Sequence, residues 1–320
     1  MPSKRNAKAK KVGPKQPSPP PKKATVNAQN IAHYRTKAYP SVVDVTWETE
    51  SLDQLVLDNF PNIESIWIHN ASLTSLQGIE GCIGLRSLDC GEGMIESLEE
   101  LKHCPLLEYL QCTCCKLTSL AGLESCTQLK ALYCKMNEIT SLKPLRNCIL
   151  LEDLECTGNK IRSLRGLENC EQLQTLECDD NKLRSIEILQ SCPSLSELRC
   201  DDNKLRSLAG LENCEILQQL YCANNRLGTL EGIEHCTHLI ALDCSGNGLE
   251  SLEGIEYCPQ IQELNCSENC IESLEPILYL GDLNRIYHFE NSLGKQTKDV
   301  KAVLKVINES HFSRYRGHYI

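Results

Sequence analysis

Residues 151–170 read LEDLECTGNKIRSLRGLENC, and this stretch decides the fold. Its pattern, L-x-x-L-x-C-x-x-N-x-L-x-x-L-x-x-L-x-x-C, returns every 22 residues from Leu85 onward without a slip. A fixed period of this length is typical of a solenoid, in which each short repeat stacks on its neighbours. The repeat columns extend over residues 63–293, so about ten units account for most of the 320 residues.

The first part of each repeat alternates in the manner of a β-strand. Leu154 and Cys156 flank Glu155, so the two apolar side chains point to the core while the glutamate faces solvent. A unit of 22 residues cannot bury its apolar face alone, and the adjacent units supply the cover. The sequence therefore predicts an α/β solenoid with a curved parallel β-sheet on the concave face and short helical or 3-10 segments on the convex face.

This repeat resembles those of the leucine-rich-repeat family. The 22-residue length and the short L-x-G-L-E-x-C segment at 164–170 are most similar to its phosphatase-regulator, SDS22-like class. The chain departs from that class where Cys occupies two positions that are usually aliphatic. Cysteine-substituted repeats of this style are also similar to those carried by large DNA viruses of amoebae. The resemblance implies a non-enzymatic scaffold that binds a protein, and the viral likeness adds a host-interaction or virion component as an alternative.

The N-terminal residues differ in composition from the repeats. Residues 1–40 hold ten Lys or Arg and no Asp or Glu, whereas the whole chain has a net charge of −10. This Pro-rich and Lys-rich segment has almost nothing to bury, which predicts a disordered tail. Its cations offer an alternative function, a nucleic-acid or chromatin-associated adaptor with weak, salt-dependent phosphate contacts. A further hypothesis is that the tail folds back onto the acidic body and competes with a partner.

Both ends of a repeat stack need a cap. Residues 41–62 are the predicted N-terminal cap, with a short helix over Ser51–Leu57. Residues 294–320 are the predicted C-terminal helical cap and tail. Four apolar side chains there share one helical face after Thr297. They are Val300, Val303, Leu304 and Ile307.

Cysteine is abundant, with 21 residues, and eighteen of them fall in two repeat columns. We interpret the columns as small buried hydrophobes with reduced thiols, because in-register side chains of parallel strands point the same way and do not converge into disulfides. A soft-metal ladder is the alternative, although zinc sites favour compact clusters. We expect no metal and no cofactor. Cys114, Cys115 and Cys270 lie outside the columns and are the candidates for exposed, reactive thiols.

Asparagine recurs wherever the chain turns away from the sheet. A buried Asn amide satisfies backbone groups of its own turn and of the adjacent turn, so a structural role is predicted. Gly93 and Cys115 interrupt the column, which predicts looser packing in the early repeats. The column contains Asn137, Asn159, Asn181, Asn203, Asn225, Asn247 and Asn269.

The outward strand positions carry the functional information, since the repeat does not constrain them. Carboxylates concentrate there in three adjacent repeats, flanked by Tyr, which favours a basic protein ligand. The alternative is an ordinary solvated face of an acidic protein. The predicted partner-binding residues are Tyr109, Tyr133, Asp153, Glu155, Glu177, Asp179, Glu197, Arg199, Asp201, Tyr221 and Asp243.

Basic residues follow the Asn column in the same repeats, so charge is segregated and a partner would be able to contact both signs. They are Lys160, Arg162, Arg165, Lys182, Arg184, Lys204 and Arg206.

Catalytic motifs are missing from the sequence. It contains no nucleophile elbow, phosphate loop or His-Glu metal motif, and its eight His are scattered. We therefore do not expect an enzyme. The first residues lack the apolar run of a secretory signal, and no run of 18 apolar residues follows. An intracellular protein, cytoplasmic or nuclear and without membrane contact, is expected.

Overall fold

The computed structural model describes residues 23–26, 42–45, 63–68 and 72–316. Thirteen parallel strands form one sheet whose order is the order of the chain. Eleven of them, β3 to β13, recur with the repeat, and β1 and β2 precede it. The strands are β1 Lys23–Val26, β2 Val42–Val45, β3 Ser65–Ile68, β4 Ser87–Asp89, β5 Tyr109–Gln111, β6 Ala131–Tyr133, β7 Asp153–Glu155, β8 Thr175–Glu177, β9 Glu197–Arg199, β10 Gln219–Tyr221, β11 Ala241–Asp243, β12 Glu263–Asn265 and β13 Arg285–Tyr287.

The register of the sheet follows the sequence period. Leu132 pairs with Leu154, and Leu154 pairs with Leu176, so equal positions of successive repeats form straight columns. The backbone ladder continues past each strand, for example from Cys134 N–H to the Glu155 carbonyl at 2.8 Å. Each position of the repeat is therefore held one strand spacing, about 4.8 Å, from its equivalent in the next repeat.

The core is built from the Leu, Ile and Cys columns. Leu154, Cys156 and Cys170 are each 0% exposed, and the same positions are buried along the stack. The predicted solenoid is therefore confirmed, with one continuous core between the sheet and the opposite wall.

Short 3-10 helices or turns form the convex side of each repeat. In repeats with Gly at the turn, such as Gly166, φ is 118° and a Cβ would collide with the Leu142 carbonyl of the preceding repeat. Gly166 N–H donates to Glu168 Oε2 at 2.7 Å, so the glutamate of the L-x-G-L-E-x-C segment holds its own turn. The 3-10 helices are Glu99–His103, Leu123–Ser125, Lys143–Asn147, Glu187–Ser191, Ile255–Tyr257 and Glu275–Tyr279.

An α-helix, α1 (Lys298–Arg316), follows the last repeat. Thr297 Oγ1 accepts a 3.4 Å hydrogen bond from Val300 N–H at its start. Val300 and Ile307 are buried, and Val303 and Leu304 pack against the core beside them. This apolar face covers the open end of the core. Within the described part of the chain, no helix combines the length and apolar character that crossing a membrane requires.

Two strands precede the repeats. β1 lies within residues 1–40, so Lys23–Val26 form a strand inside the predicted tail. β1 pairs with β2 and β2 pairs with β3, which gives the first repeat strand a hydrogen-bonded neighbour in place of a free edge. The helix expected over Ser51–Leu57 and the rest of the tail lie outside the described residues.

Candidate functional site

Three outward positions of each repeat build the concave face. They are the first and third residues of the strand and the residue two further on, as Asp153, Glu155 and Thr157 show in one repeat. All three are half-buried because neighbouring columns cover their flanks. The register sets Glu155 beside Tyr133 on one side and Glu177 on the other. The eleven residues predicted to bind a partner lie on this face, between β5 and the repeat of β11.

The N-terminal flank of the acidic region is aromatic. The rings of Tyr109 and Tyr133 are tilted by 49° with centroids 5.4 Å apart. The Tyr133 hydroxyl donates a hydrogen bond to Asp153 Oδ2. Burial raises the pKa of both tyrosines, and the charge of Asp153 raises each of them further. Both phenols therefore stay protonated at neutral pH, and Tyr133 remains a donor to Asp153.

The C-terminal flank combines a cation and a ring. Arg199 Cζ lies 4.2 Å from the centroid of the Tyr221 ring, a cation–π contact. Arg199 Nε donates to Glu197 Oε1 at 2.9 Å, which raises the pKa of the guanidinium. The Tyr221 hydroxyl donates to Gln219 Oε1 at 3.0 Å. Glu197 and Arg199 thus neutralise each other on this flank.

Two carboxylates of the predicted site hold the scaffold itself. Asp179 Oδ1 accepts the backbone N–H of Asp201 at 2.8 Å, and Asp201 Oδ1 accepts that of Ala223 at 2.6 Å. Burial raises the pKa of Asp179, and it raises that of Asp201 to about 7. Asp201 is therefore only partly ionised at neutral pH and adds less negative charge than the sequence indicates.

Two further acidic residues also have partners within the protein. Glu155 Oε1 lies 2.9 Å from Lys135 Nζ, and its side chain is 17% exposed. Asp243 Oδ1 accepts the backbone N–H of Ser245 at 3.0 Å, and Asp243 Oδ2 accepts Asn265 Nδ2 at 2.9 Å. These contacts reduce the number of carboxylates that are available to a ligand.

Glu177 lies at the centre of the face and differs from its neighbours. The register sets it between Glu155 and Arg199. Among the described residues, its carboxylate forms no ion pair or hydrogen bond within the protein. Burial and then the charge of Glu155 raise its pKa, whereas Arg199 opposes the shift. Glu177 thus differs from Glu155, Glu197, Asp179 and Asp201, whose carboxylates are bonded within the protein.

The Asn column lies behind this face. Asn181 Nδ2 donates to the carbonyls of Cys156, Cys178 and Asp179 at 3.0–3.1 Å, and its Oδ1 accepts Ile161 N–H at 2.9 Å. The other column members from Asn137 to Asn269 repeat this arrangement, and all seven are buried.

Sequence reasoning missed one member of the column, Asn291. It accepts Ile271 N–H at 3.0 Å and donates to the Cys266 carbonyl at 2.9 Å. Its spacing of 22 residues from Asn269 was the available signal. Cys115 fills the corresponding place in an early repeat, with its thiol 3.5 Å from the Cys90 carbonyl and 3.8 Å from that of Thr113.

The cysteine columns form two ladders of weak S–H donors. In the strand column the thiol of Cys178 points to the Arg199 carbonyl of the next repeat at 3.2 Å. In the other column the thiol of Cys126 points to the Leu101 carbonyl of the preceding repeat at 3.5 Å. All eighteen column residues are buried, and burial raises the pKa of the column thiols from Cys90 onward, to about 12 for Cys126. The columns therefore hold protonated thiols.

The three remaining cysteines separate into two groups. Cys114 and Cys270 are exposed, as expected. Cys115 is half-buried, and burial raises the pKa of its thiol, so the expectation that it is exposed and reactive is wrong. Within the described residues there is no cluster of three or more His, Cys, Asp or Glu arranged to hold a metal ion.

Comparison with known proteins agrees with this architecture. A family model described as leucine-rich repeats, two copies, matches residues 171–213 and 217–257. These residues resemble leucine-rich repeats in sequence, and the fold of the chain is that of a leucine-rich-repeat solenoid. A search of curated proteins finds no match.

Several solved structures are similar. An internalin, InlF, from Listeria monocytogenes is 18% identical with a TM-score of 0.66, over 85% of this chain and 86% of that one. A plant peptide hormone receptor in complex with RGF2 is 21% identical with a TM-score of 0.71, over 85% of this chain and 46% of that one. The functional domain of InlJ from Listeria monocytogenes, described as including a cysteine ladder, is 26% identical with a TM-score of 0.60. That match covers 74% of this chain and 56% of the InlJ chain.

Proposed function

We propose that this protein is a non-enzymatic scaffold whose acidic, Tyr-flanked concave face holds a basic segment of a protein partner. The observation that carries the proposal is the carboxylate of Glu177, which has no ion-pair or hydrogen-bond partner among the described residues. It lies in one column with Tyr133 and Tyr221, two strands from each of them. A half-buried carboxylate without an ion-pair partner gains from a Lys or Arg supplied by a ligand, because charge-assisted hydrogen bonds strengthen as water is excluded.

The dimensions of the face suit a short extended segment. Four strand spacings separate Tyr133 from Tyr221, or about 19 Å at 4.8 Å each. That length accommodates about six residues of extended chain at roughly 3.4 Å per residue. A segment lying across the strands would place a cation at Glu177 and apolar or aromatic groups against Tyr133 and Tyr221, whose rings offer area and a polar tip.

The similar structures are consistent with a binding role. The plant structure is described as a peptide hormone receptor in complex with RGF2. The chemistry of the partner of the present chain is inferred from the charges of this chain alone. The outward-facing residues are not fixed by the repeat, so they vary from one repeat to the next.

The proposal is tested with a random peptide library displayed on phage and selected on the full chain. We expect enrichment of peptides rich in Lys, Arg and aromatic residues. The test variant is Glu155→Gln, Glu177→Gln and Glu197→Gln, which removes three concave charges and keeps side-chain size. We avoid Asp179 and Asp201 because they hold backbone groups of adjacent repeats.

A matched control removes three exposed carboxylates from other faces: Glu171→Gln, Glu187→Gln and Glu215→Gln. Selected peptides should bind the control as they bind the wild type and bind the concave variant at least tenfold more weakly. Equal affinity for the wild type and the concave variant would show that the concave face is not the site.

A further inference from the structure

A second charged surface lies beside the Asn column, outside the concave face. We call it the basic edge, and it consists of two columns at the first and third positions after the Asn. Every member is exposed. The residues are Lys160, Lys182, Lys204 and Arg226 in one column and Arg162, Arg184 and Arg206 in the other.

The backbone beneath the basic edge is rigid. Lys182 N–H donates to the Ile161 carbonyl at 2.8 Å, and Lys204 N–H donates to the Leu183 carbonyl at 2.9 Å. Between them, Ile161 N–H donates to Oδ1 of the buried Asn181 at 2.9 Å, and Leu183 N–H donates to Asn203 Oδ1 at 2.9 Å. The backbone positions of the cations therefore repeat at a spacing of about 4.8 Å. Their side chains extend into solvent.

The basic edge keeps most of its charge unpaired. Lys160 Nζ lies 2.9 Å from Glu138 Oε2. The other six cations have no ion pair with a carboxylate among the described residues. This concentration is unusual for the chain, because residues 41–280 hold 39 acidic and 16 basic side chains. Like charges in adjacent repeats repel each other, and an anion bound between them would reduce that repulsion.

Four of these residues surround one open cleft. Arg162 and Arg184 come from one column, and Lys182 and Lys204 come from the other. The cleft has a volume of about 260 Å³, and its lining consists of these four side chains. No carboxylate contributes to the lining, so the cleft presents guanidinium forks and ammonium groups together.

We infer that this cleft binds an anion with two neighbouring phosphate groups, as in a diphosphate or a doubly phosphorylated peptide segment. Each phosphate monoester carries about −1.5 to −2 at pH 7, so two of them balance four cations. The guanidiniums bind phosphate oxygens in a bidentate manner, and the lysines add point charges opposite them. This site is independent of the concave face.

A nucleic-acid duplex fits the cleft less well. Asp180 and Asp202 are exposed one residue before the Asn column, and the acidic concave face begins beyond them. A wide polyanion lying on the basic edge would approach these carboxylates, whereas a compact anion within the cleft would not.

The test measures binding by calorimetry in 150 mM salt, with inorganic diphosphate and with a peptide carrying two adjacent phosphoserines. The unphosphorylated peptide and a duplex DNA of 12 base pairs are the comparison ligands. The test variant is Arg162→Gln with Arg184→Gln. The control, Lys116→Gln with Arg146→Gln, removes the same charge at exposed positions outside the cleft.

Diphosphate or the phosphopeptide should bind the wild type and the control alike and bind the test variant at least tenfold more weakly. Which of the two binds more tightly identifies the source of the phosphates. The inference is overturned if neither ligand binds the wild type, if the control loses as much affinity as the test variant, or if duplex DNA binds more tightly than both.

Discussion

The carboxylate of Asp179 accepts a 2.8 Å hydrogen bond from the backbone N–H of Asp201, one full repeat away. Asp201 Oδ1 accepts the equivalent hydrogen bond from Ala223 N–H at 2.6 Å. In a later repeat the equivalent N–H, that of Ser245, is instead accepted at 3.0 Å by Asp243 of its own strand. Part of the negative charge on the concave face is therefore used to join repeats, and charge and stability are coupled there.

This coupling predicts a pH-dependent effect of Asp201→Asn. Burial raises the pKa of Asp201 from 3.8 to about 7 in the folded protein. A carboxyl whose pKa is raised on folding favours the folded state most at low pH, and that contribution is lost as pH rises from about 4 through 7. The Asn side chain does not titrate and still accepts Ala223 N–H.

We therefore expect the stability of the Asn variant relative to the wild type to increase between pH 4 and pH 8. The gain should be about 1 kcal/mol, since the half-exposed side chain is partly screened by solvent. Urea unfolding at pH 4, 6 and 8 measures it. A stability difference that is the same at all three pH values would contradict the role assigned to Asp201.

The Asn column predicts a large loss for Asn181→Ala. The variant removes the acceptor of Ile161 N–H, which is then left without a partner inside the stack. The three carbonyls lose the Asn181 amide but each keeps a second donor, from Asn159, Asn203 or Gly158 N–H. The unsatisfied N–H costs about 1–3 kcal/mol and the lost amide hydrogen bonds add to it, so destabilisation of about 2–4 kcal/mol is expected. Asn291→Ala is the control, because Asn291 is half-exposed near the end of the stack and should cost less. Equal losses in urea unfolding would argue against a buried network.

At Cys115 an Asn can be introduced into the Asn column instead of being removed from it. The Cys115 thiol occupies the place of the Asn amide but donates only weakly to the Cys90 and Thr113 carbonyls. Cys115→Asn should restore amide donors and an acceptor for Ile95 N–H, and should stabilise the protein by about 1 kcal/mol. The midpoint of urea unfolding measures this gain. A lower midpoint would indicate that the early turn has adapted to Cys.

The sequence pattern was sufficient to predict the core and Asn columns, because a 22-residue period determines which side chains point inward and which backbone groups pair. It placed Leu154 and Cys156 in the core and Asn181 in the turn. It did not extend the Asn column to Asn291, since His288 replaces Cys in that repeat and the pattern weakens.

The candidate site was less predictable than the columns. The sequence does not distinguish between the carboxylates of the site. In the structure, however, Asp201 accepts a hydrogen bond from the backbone of the next repeat, whereas Glu177 accepts none among the described residues. That difference depends on side-chain rotamers and burial, which the period does not specify. The cleft at the basic edge likewise required coordinates, because adjacent columns enclose a space only in three dimensions.

Thiol labelling tests the cysteine assignments. With maleimide under native, reducing-agent-free conditions, we expect rapid modification of Cys114 and Cys270, the two exposed cysteines. The buried column thiols should react only after unfolding, since burial raises their pKa and limits access. Mass spectrometry of peptides identifies the modified sites. Native labelling of Cys178 or Cys126 would contradict the ladder geometry.

The hypothesis that the basic tail competes for the concave face predicts tighter ligand binding when the tail is shortened. Residues 1–22 carry seven Lys or Arg, and their deletion preserves β1, whereas deletion of residues 1–40 would remove a strand of the sheet. Peptides selected on the concave face should bind the shortened protein several-fold more tightly in 20 mM salt. The gain should vanish in 0.5 M salt, where charges farther apart than about 5 Å are largely screened. Replacing the seven cations by Gln in the full chain should match the deletion, because charge is the proposed cause. Unchanged affinity at low salt in both variants would exclude competition by the tail.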